Sequence, residues 1–276
     1  MSLLLLLLAA AVDVPVAEGA APGAATPFDY GRLIDNAIDG SRIIQAETML
    51  AQWRVHPAPG DKAGIEIAEA RLALAKGQDA DAEARFTALA QAGLMDCRVD
   101  EGLGIARLRL GRPQQAAELL RRAADHCGRS WRAWNALGIA YDADKSWALS
   151  AAAYERAFQL TDKPVQVLNN YGMSLMAQGE AEKAAMIFDK ARQIAPDDAR
   201  IISNGDAAQI MAGRDIVRRA EDDADSWAKR LGDAGQVAMR MGNAVKARAY
   251  LSRAMTEAES YQPKAAAALA EMGTRP

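Results

Sequence analysis

The sequence predicts an all-α solenoid of stacked antiparallel helical hairpins, and three observations carry that prediction. First, small and bulky residues recur at a spacing of 34: glycines stand at Gly77, Gly111, Gly179 and Gly213, with Lys145 at the skipped step. A second series runs Gly104, Gly138 and Gly172. Small residues at Ala82, Ala116, Ser150 and Ala184 are followed four positions later by Phe86, Leu120, Tyr154 and Phe188, then three later by Leu89, Ala123, Ala157 and Ala191. Self-similarity at such a period marks a repeat architecture. Second, 62 of the 276 residues are alanine and only 5% are aromatic. A core must then come from many close helix–helix contacts. Third, no segment alternates with the period of a half-buried strand.

Composition narrows the function classes. Half the residues are hydrophobic and a quarter charged, enough to bury a core. A net charge of −3 and a pI near 5.6 argue against a nucleic-acid binder acting through a basic surface. Two cysteines and two histidines leave little material for a metal centre. There is no glycine-rich phosphate loop, no G-x-S-x-G and no C-x-x-C, so neither an enzyme nor a cofactor is expected. The acidic run Asp222, Asp223 and Asp225 lacks the spaced ligands of a calcium loop and reads as a solvated acidic face.

The elements follow in order. Residues 1–28 read as an apolar leader and linker. Leu3 to Val12 is too short for the roughly 20 residues of a membrane-spanning helix. It suits the apolar stretch of a secretory signal, with Ala9, Ala10 and Ala11 supplying small residues for cleavage. No Lys or Arg precedes it, so either the charged start is weak or the true start lies upstream. From Val14 to Pro27 the chain is rich in Ala, Gly and Pro. A degenerate helix pair follows over 29–56, then repeats starting near Ala63, Cys97, Trp131, Val165, Ala199 and Ala228. The repeat from Ala199 carries Asp206, Arg218, Asp222 and Asp225 where small or bulky apolar residues belong, and five residues are missing before the next glycine, Gly242. Its second helix is expected to be shortened or displaced. A helix over 263–272 caps the array, as solenoid ends require.

The repeats resemble tetratricopeptide (TPR) repeats. Trp134, Leu137, Gly138 and Tyr141 match the first-helix signature W-x₂-L-G-x₂-Y, and Ser150, Tyr154 and Ala157 take second-helix positions. The resemblance implies a right-handed superhelix from about Asp29 to Met272, with the first helices lining a concave groove that holds a partner protein or peptide. The lysines and asparagines of chaperone-binding TPRs are replaced here by Ile67, Arg71, Glu101 and Ile105. The A-W-N-A-L-G repeat, the following N-N-Y-G repeat and the short leader resemble the TPR proteins of tight-adherence (Tad/Flp) pilus loci. That likeness implies a pilotin-like role, a periplasmic or envelope location and a pilus or secretin component as partner. The alternative is a cytoplasmic subunit of a multiprotein complex.

Two candidate sites follow. Asn135, Asn169 and Ser203 are spaced by 34, as are Asn170 and Asn204, so they form rows along the stacked first helices. Amides offer both donor and acceptor. The rows either grip a peptide backbone, flanked by Arg132, Arg200, Met173 and Met176, or are solvated or hydrogen-bonded within their own repeat. Cys97 and Cys127 bracket one hairpin, which brings both thiols to the same end. An oxidising compartment would join them as a disulfide; otherwise they remain two small hydrophobes.

Overall fold

The computed structural model describes residues 28–274; the leader and linker lie almost wholly outside the described residues. Among those residues there are fourteen helices and no strand. In chain order they are α1 (Tyr30–Asp39), α2 (Ile43–Val55), α3 (Lys62–Ala75), α4 (Asp79–Gln91), α5 (Cys97–Arg109), α6 (Pro113–His126) and α7 (Trp131–Ala143). Then come α8 (Trp147–Leu160), α9 (Val165–Ala177), α10 (Ala181–Ile194), α11 (Ala199–Met211), α12 (Ala224–Arg240), α13 (Ala244–Thr256) and α14 (Pro263–Thr274). The architecture is an all-α solenoid. Each helix packs on the next, and α1, α3, α5, α7, α9 and α11 also touch in succession, forming one continuous inner row.

Several helix starts are fixed by side-chain caps, among them those of α5, α7 and α11. Asp96 accepts from the Arg98 amide at 2.9 Å, Ser130 from Ala133 at 3.3 Å and Asp198 from Arg200 at 2.9 Å. Each supplies an acceptor to an otherwise unpaired first-turn N–H. Many helix ends, those of α3, α5, α9 and α11 among them, are fixed by left-handed turns. The Arg112 amide donates to the Arg107 carbonyl across Gly111, whose φ is +75°, at 2.9 Å. This is the wrap that satisfies the last free carbonyls of a helix. Lys145 takes the same conformation, at φ +56°, and Ser146 donates to Tyr141 at 2.9 Å in the same pattern. Its turn therefore keeps the left-handed geometry without glycine.

Inside a hairpin the register has a steric cause. A Cβ on Gly138 would lie 2.7 Å from Cε1 of the Tyr154 ring, closer than any side chain tolerates. Only glycine lets the buried ring lie flat on the first helix. Tyr154 is 1% exposed and its hydroxyl donates to Asp142 at 2.7 Å. Burial together with that bond keeps the phenol protonated far above its ordinary pKa. Its ring stacks on Tyr171 of the next hairpin, with centroids 5.6 Å apart.

One repeat departs from the pattern. After α11 there is no second helix: residues 212–223 run as turn and irregular chain directly into α12, which begins at Ala224 rather than near Ala228. The expected pair from Ala199 is thus a lone helix. At the end, α14 lays Ala265 and Ala268 into the core formed by Trp227, Leu231, Tyr250 and Leu251, with Leu269 and Met272 against it.

Candidate functional site

The inner row of first helices positions the residues that the sequence singled out, but it treats its two halves differently. Towards the N-terminus the face is crossed by ion pairs. Arg132 of α7 pairs with Asp39 at the end of α1, and Arg71 of α3 with Asp35. Arg98 of α5 holds Asp96 at 2.6 Å. Burial raises the Asp35 carboxyl above its ordinary value against the pull of Arg71 and Arg98. Arg132 is therefore engaged within the chain, with its guanidinium also 4.7 Å from the Trp131 ring centroid.

The amide rows lie in the middle of the face, and they bond to one another. The Asn170 side chain donates to Asn135 at 3.1 Å, Asn204 to Asn169 at 2.8 Å, and Asn169 to Asn170 at 3.4 Å. Two of these bonds join residues 35 apart, one step off the repeat, because a residue on one helix meets the next helix diagonally. Asn135 is only 4% exposed. These amides tie α7, α9 and α11 together by satisfying buried polar groups. Arg200 is exposed and pairs with Asp198 at the start of its own helix, 2.8 Å away; hydrogen bonds from Arg200 hold that carboxyl below the usual range.

Towards the C-terminus the face opens. A cavity of about 600 Å³ lies between α9, α11 and α12, and Met173, Met176, Ser203 and Asn204 line it. Ile202, Ala207 and Val237 add apolar wall. The cavity thus gathers four of the nine expected groove residues and leaves Arg132, Asn135, Asn169, Asn170 and Arg200 outside its lining. Met211 and Met239 pack against the C-terminal core.

The wall that sequence reasoning missed belongs to α12. Arg230 reaches Asp206 at 2.7 and 2.8 Å and also pairs with Asp222, and its guanidinium donates to the Val217 carbonyl at 3.2 Å. Asp206 stands 34 residues after Gly172, and Asp222 stands 34 after Phe188. Two carboxylates thus occupy the glycine and aromatic positions of the repeat, and one arginine bridges them. The available signal was the need for a buried cation near two such misplaced acids. Burial pushes the Asp206 carboxyl up against Arg230's pull, with Asp222 adding to the rise.

The acidic run is a solvated face only in part: Asp223 is exposed, but Asp222 is not. The Asp222 side chain is 5% exposed. Asp223 caps α12 through the Ser226 amide at 2.6 Å, and Asp225 accepts from the Glu259 and Ser260 amides at 3.0 and 2.9 Å. All three are occupied as structural acceptors. Cys97 begins α5 and Cys127 follows α6; their Cα atoms are 5.6 Å apart and the sulfurs are joined.

No family model matches the chain. It is 32% identical over 231 residues to cellulose synthase operon protein C of Xanthomonas axonopodis pv. citri, a match over 80% of this chain but 15% of that protein's length. Its fold is similar to that of a chain in the APC/C hetero-tetramer Cut9–Hcn1, with a TM-score of 0.60 at 12% identity over 91% of this chain and 50% of that one. A thermophilic TPR protein of Thermus thermophilus, TTC0263, matches with a TM-score of 0.54 at 18% identity, covering 66% of this chain and 98% of that one. PilW, a type IV pilus biogenesis factor, matches with a TM-score of 0.52 at 15% identity, covering 87% and 96%. The fold is that of TPR proteins.

Proposed function

We propose that the chain is a non-catalytic scaffold that holds a segment of a partner protein against the inner face formed by α9, α11 and α12. The observation that carries this reading is the cavity itself. It is an open, partly apolar recess of about 600 Å³ on the row of first helices, where the regular array would otherwise continue. Recesses of that size, with apolar walls and a few placed polar groups, suit a small number of anchoring side chains. Among the described residues, no helix is long and apolar enough to cross a membrane.

The setting we infer is assembly of a cell-envelope structure, with a pilus or secretion-system component as partner. Two likenesses support it. The chain shares its fold with PilW over nearly that whole protein, and its sequence with part of a cellulose synthase operon protein. A photo-cross-linking amino acid at Ser203, which is exposed in the cavity wall, should capture a partner in cells. The same group at Met186, exposed on the second helix α10, should not. Equal capture at both positions would defeat the groove reading. The likeness to a subunit of Cut9–Hcn1 favours a second reading, a cytoplasmic subunit of a multiprotein complex. Fractionation separates the two: a shortened chain in the periplasm supports the envelope, and an intact one in the cytosol supports the complex.

A further inference from the structure

The charges around the cavity are unevenly placed. Deep in the wall, two carboxylates, Asp206 and Asp222, share one guanidinium, Arg230, and their side chains are 10, 5 and 10% exposed. Beside them Arg219 is shared in the same way by Asp197 and Glu221, at 3.0 and 3.4 Å. The Asp206–Arg230–Asp222 cluster holds one more buried negative charge than positive, whereas the acids paired with Arg219 are 82 and 65% exposed and are screened by water. On α12, Lys229, Asp233, Val237 and Arg240 recur along the helical face that borders the recess. Lys229 and Arg240 are exposed at the rim, whereas Asp233 is half-buried. Water and salt screen the two rim cations far more than the buried acids. The apolar side chains Met173, Met176 and Val237 share the recess with this buried acidic surplus.

Resting on the groove reading above, we propose that the partner segment presents a basic side chain, lysine or arginine, flanked by apolar residues. The basic group enters between Asp233 and the Asp206–Arg230–Asp222 cluster, and the apolar residues lie on Met173 and Met176. An arginine suits this environment because its planar fork donates to two acceptors at once. The methionines suit apolar neighbours of varied shape, being unbranched and polarizable. Asp233 is the residue that tests the proposal, because it makes no ion pair or hydrogen bond that the fold depends on.

The full chain is titrated with two fluorescein-labelled peptides that share the same leucines and alanines. One carries arginines at its centre and the other carries glutamates in their place. The arginine peptide should bind at least about tenfold more tightly, and Asp233→Lys should cost it about tenfold, with the helical circular-dichroism signal unchanged. Arg240→Glu should leave its binding equal or tighter. Tighter binding of the glutamate peptide, insensitivity of the arginine peptide to Asp233→Lys, or failure of both peptides to bind would overturn the proposal. The groove reading stands or falls separately, on capture at Ser203 in cells.

Discussion

The hairpin α7–α8 and the broken repeat that begins with α11 start from the same register and close in opposite ways. In α7–α8, glycine at position 138 admits the ring of Tyr154, and the contact is apolar and tight. In the repeat from Ala199, the equivalent positions are Asp206 and Asp222, and Arg230 reaches in from the following helix to join them. The first solution needs a second helix to carry its ring. The second needs only a short irregular segment to carry a carboxylate, and residues 212–223 are that segment. Losing the helix lets α12 follow α11 directly, and the recess on the inner face lies at this joint. A repeat position thus specifies a volume to be filled, and the chemistry that fills it decides whether the array stays closed or opens.

The largest expected effect comes from breaking the ionic closure. Arg230→Ala would leave Asp206 and Asp222 buried without their cation, a change that typically costs about 3–5 kcal/mol. Thermal unfolding of the variant checks it, and limited trypsin digestion should show new cleavage at Arg218 or Arg219 as the segment loosens. An unchanged melting temperature would mean that the carboxylates do not depend on Arg230.

A third closure is covalent. In α5–α6 the ends of the hairpin are tied by Cys97 and Cys127, 30 residues apart in sequence. Closing such a loop is worth about 3–4 kcal/mol in the chain-entropy model. Protein isolated without reductant should show no free thiol by mass spectrometry, and Cys97→Ser with Cys127→Ser should lower its melting temperature. Two free thiols in that preparation would remove this closure from the comparison.

Breaking the apolar closure should cost less. Gly138→Leu drives a side chain into the Tyr154 ring, and overpacking of this kind costs about 1–3 kcal/mol. The Tyr154–Asp142 hydrogen bond would also be strained, and near-ultraviolet circular dichroism should report a displaced tyrosine. A variant with native melting and native signal would show that α7 and α8 are not held as close as the register requires.

What the sequence made legible follows from which interactions repeat. The glycine and aromatic series were readable because the same steric demand recurs in each hairpin, so one register exposes the all-α solenoid. Asp206 and Asp222 were readable as misfits, but Arg230 lies outside that register and could not be paired with them before the chain was folded. The asparagine rows were readable, whereas their bonding was not. Asn170 meets Asn135, one residue off the repeat, because neighbouring helices are offset. Arg132 was readable as an inner-face residue, yet Asp39, its partner, comes from α1, with α3 and α5 between them in the row. That contact depends on the curvature of the array, which no single repeat encodes.

The smallest expected effect sharpens the comparison at the turn between α7 and α8. Lys145 stands where Gly77, Gly111, Gly179 and Gly213 stand, and it adopts their left-handed conformation at φ +56°. For a residue with a Cβ that conformation costs about 1–2 kcal/mol. Glycine would remove the strain but raise the entropy of the unfolded chain by an amount worth about 0.4–1 kcal/mol. The difference between those opposing terms leaves Lys145→Gly stabilising by about 0.5–1 kcal/mol. Denaturant titration should show a higher midpoint at unchanged slope, because the native surface is untouched. A lower midpoint would mean that the lysine side chain contributes more to the native turn than its backbone strain costs, and that this hairpin closes by more than its glycine and its ring.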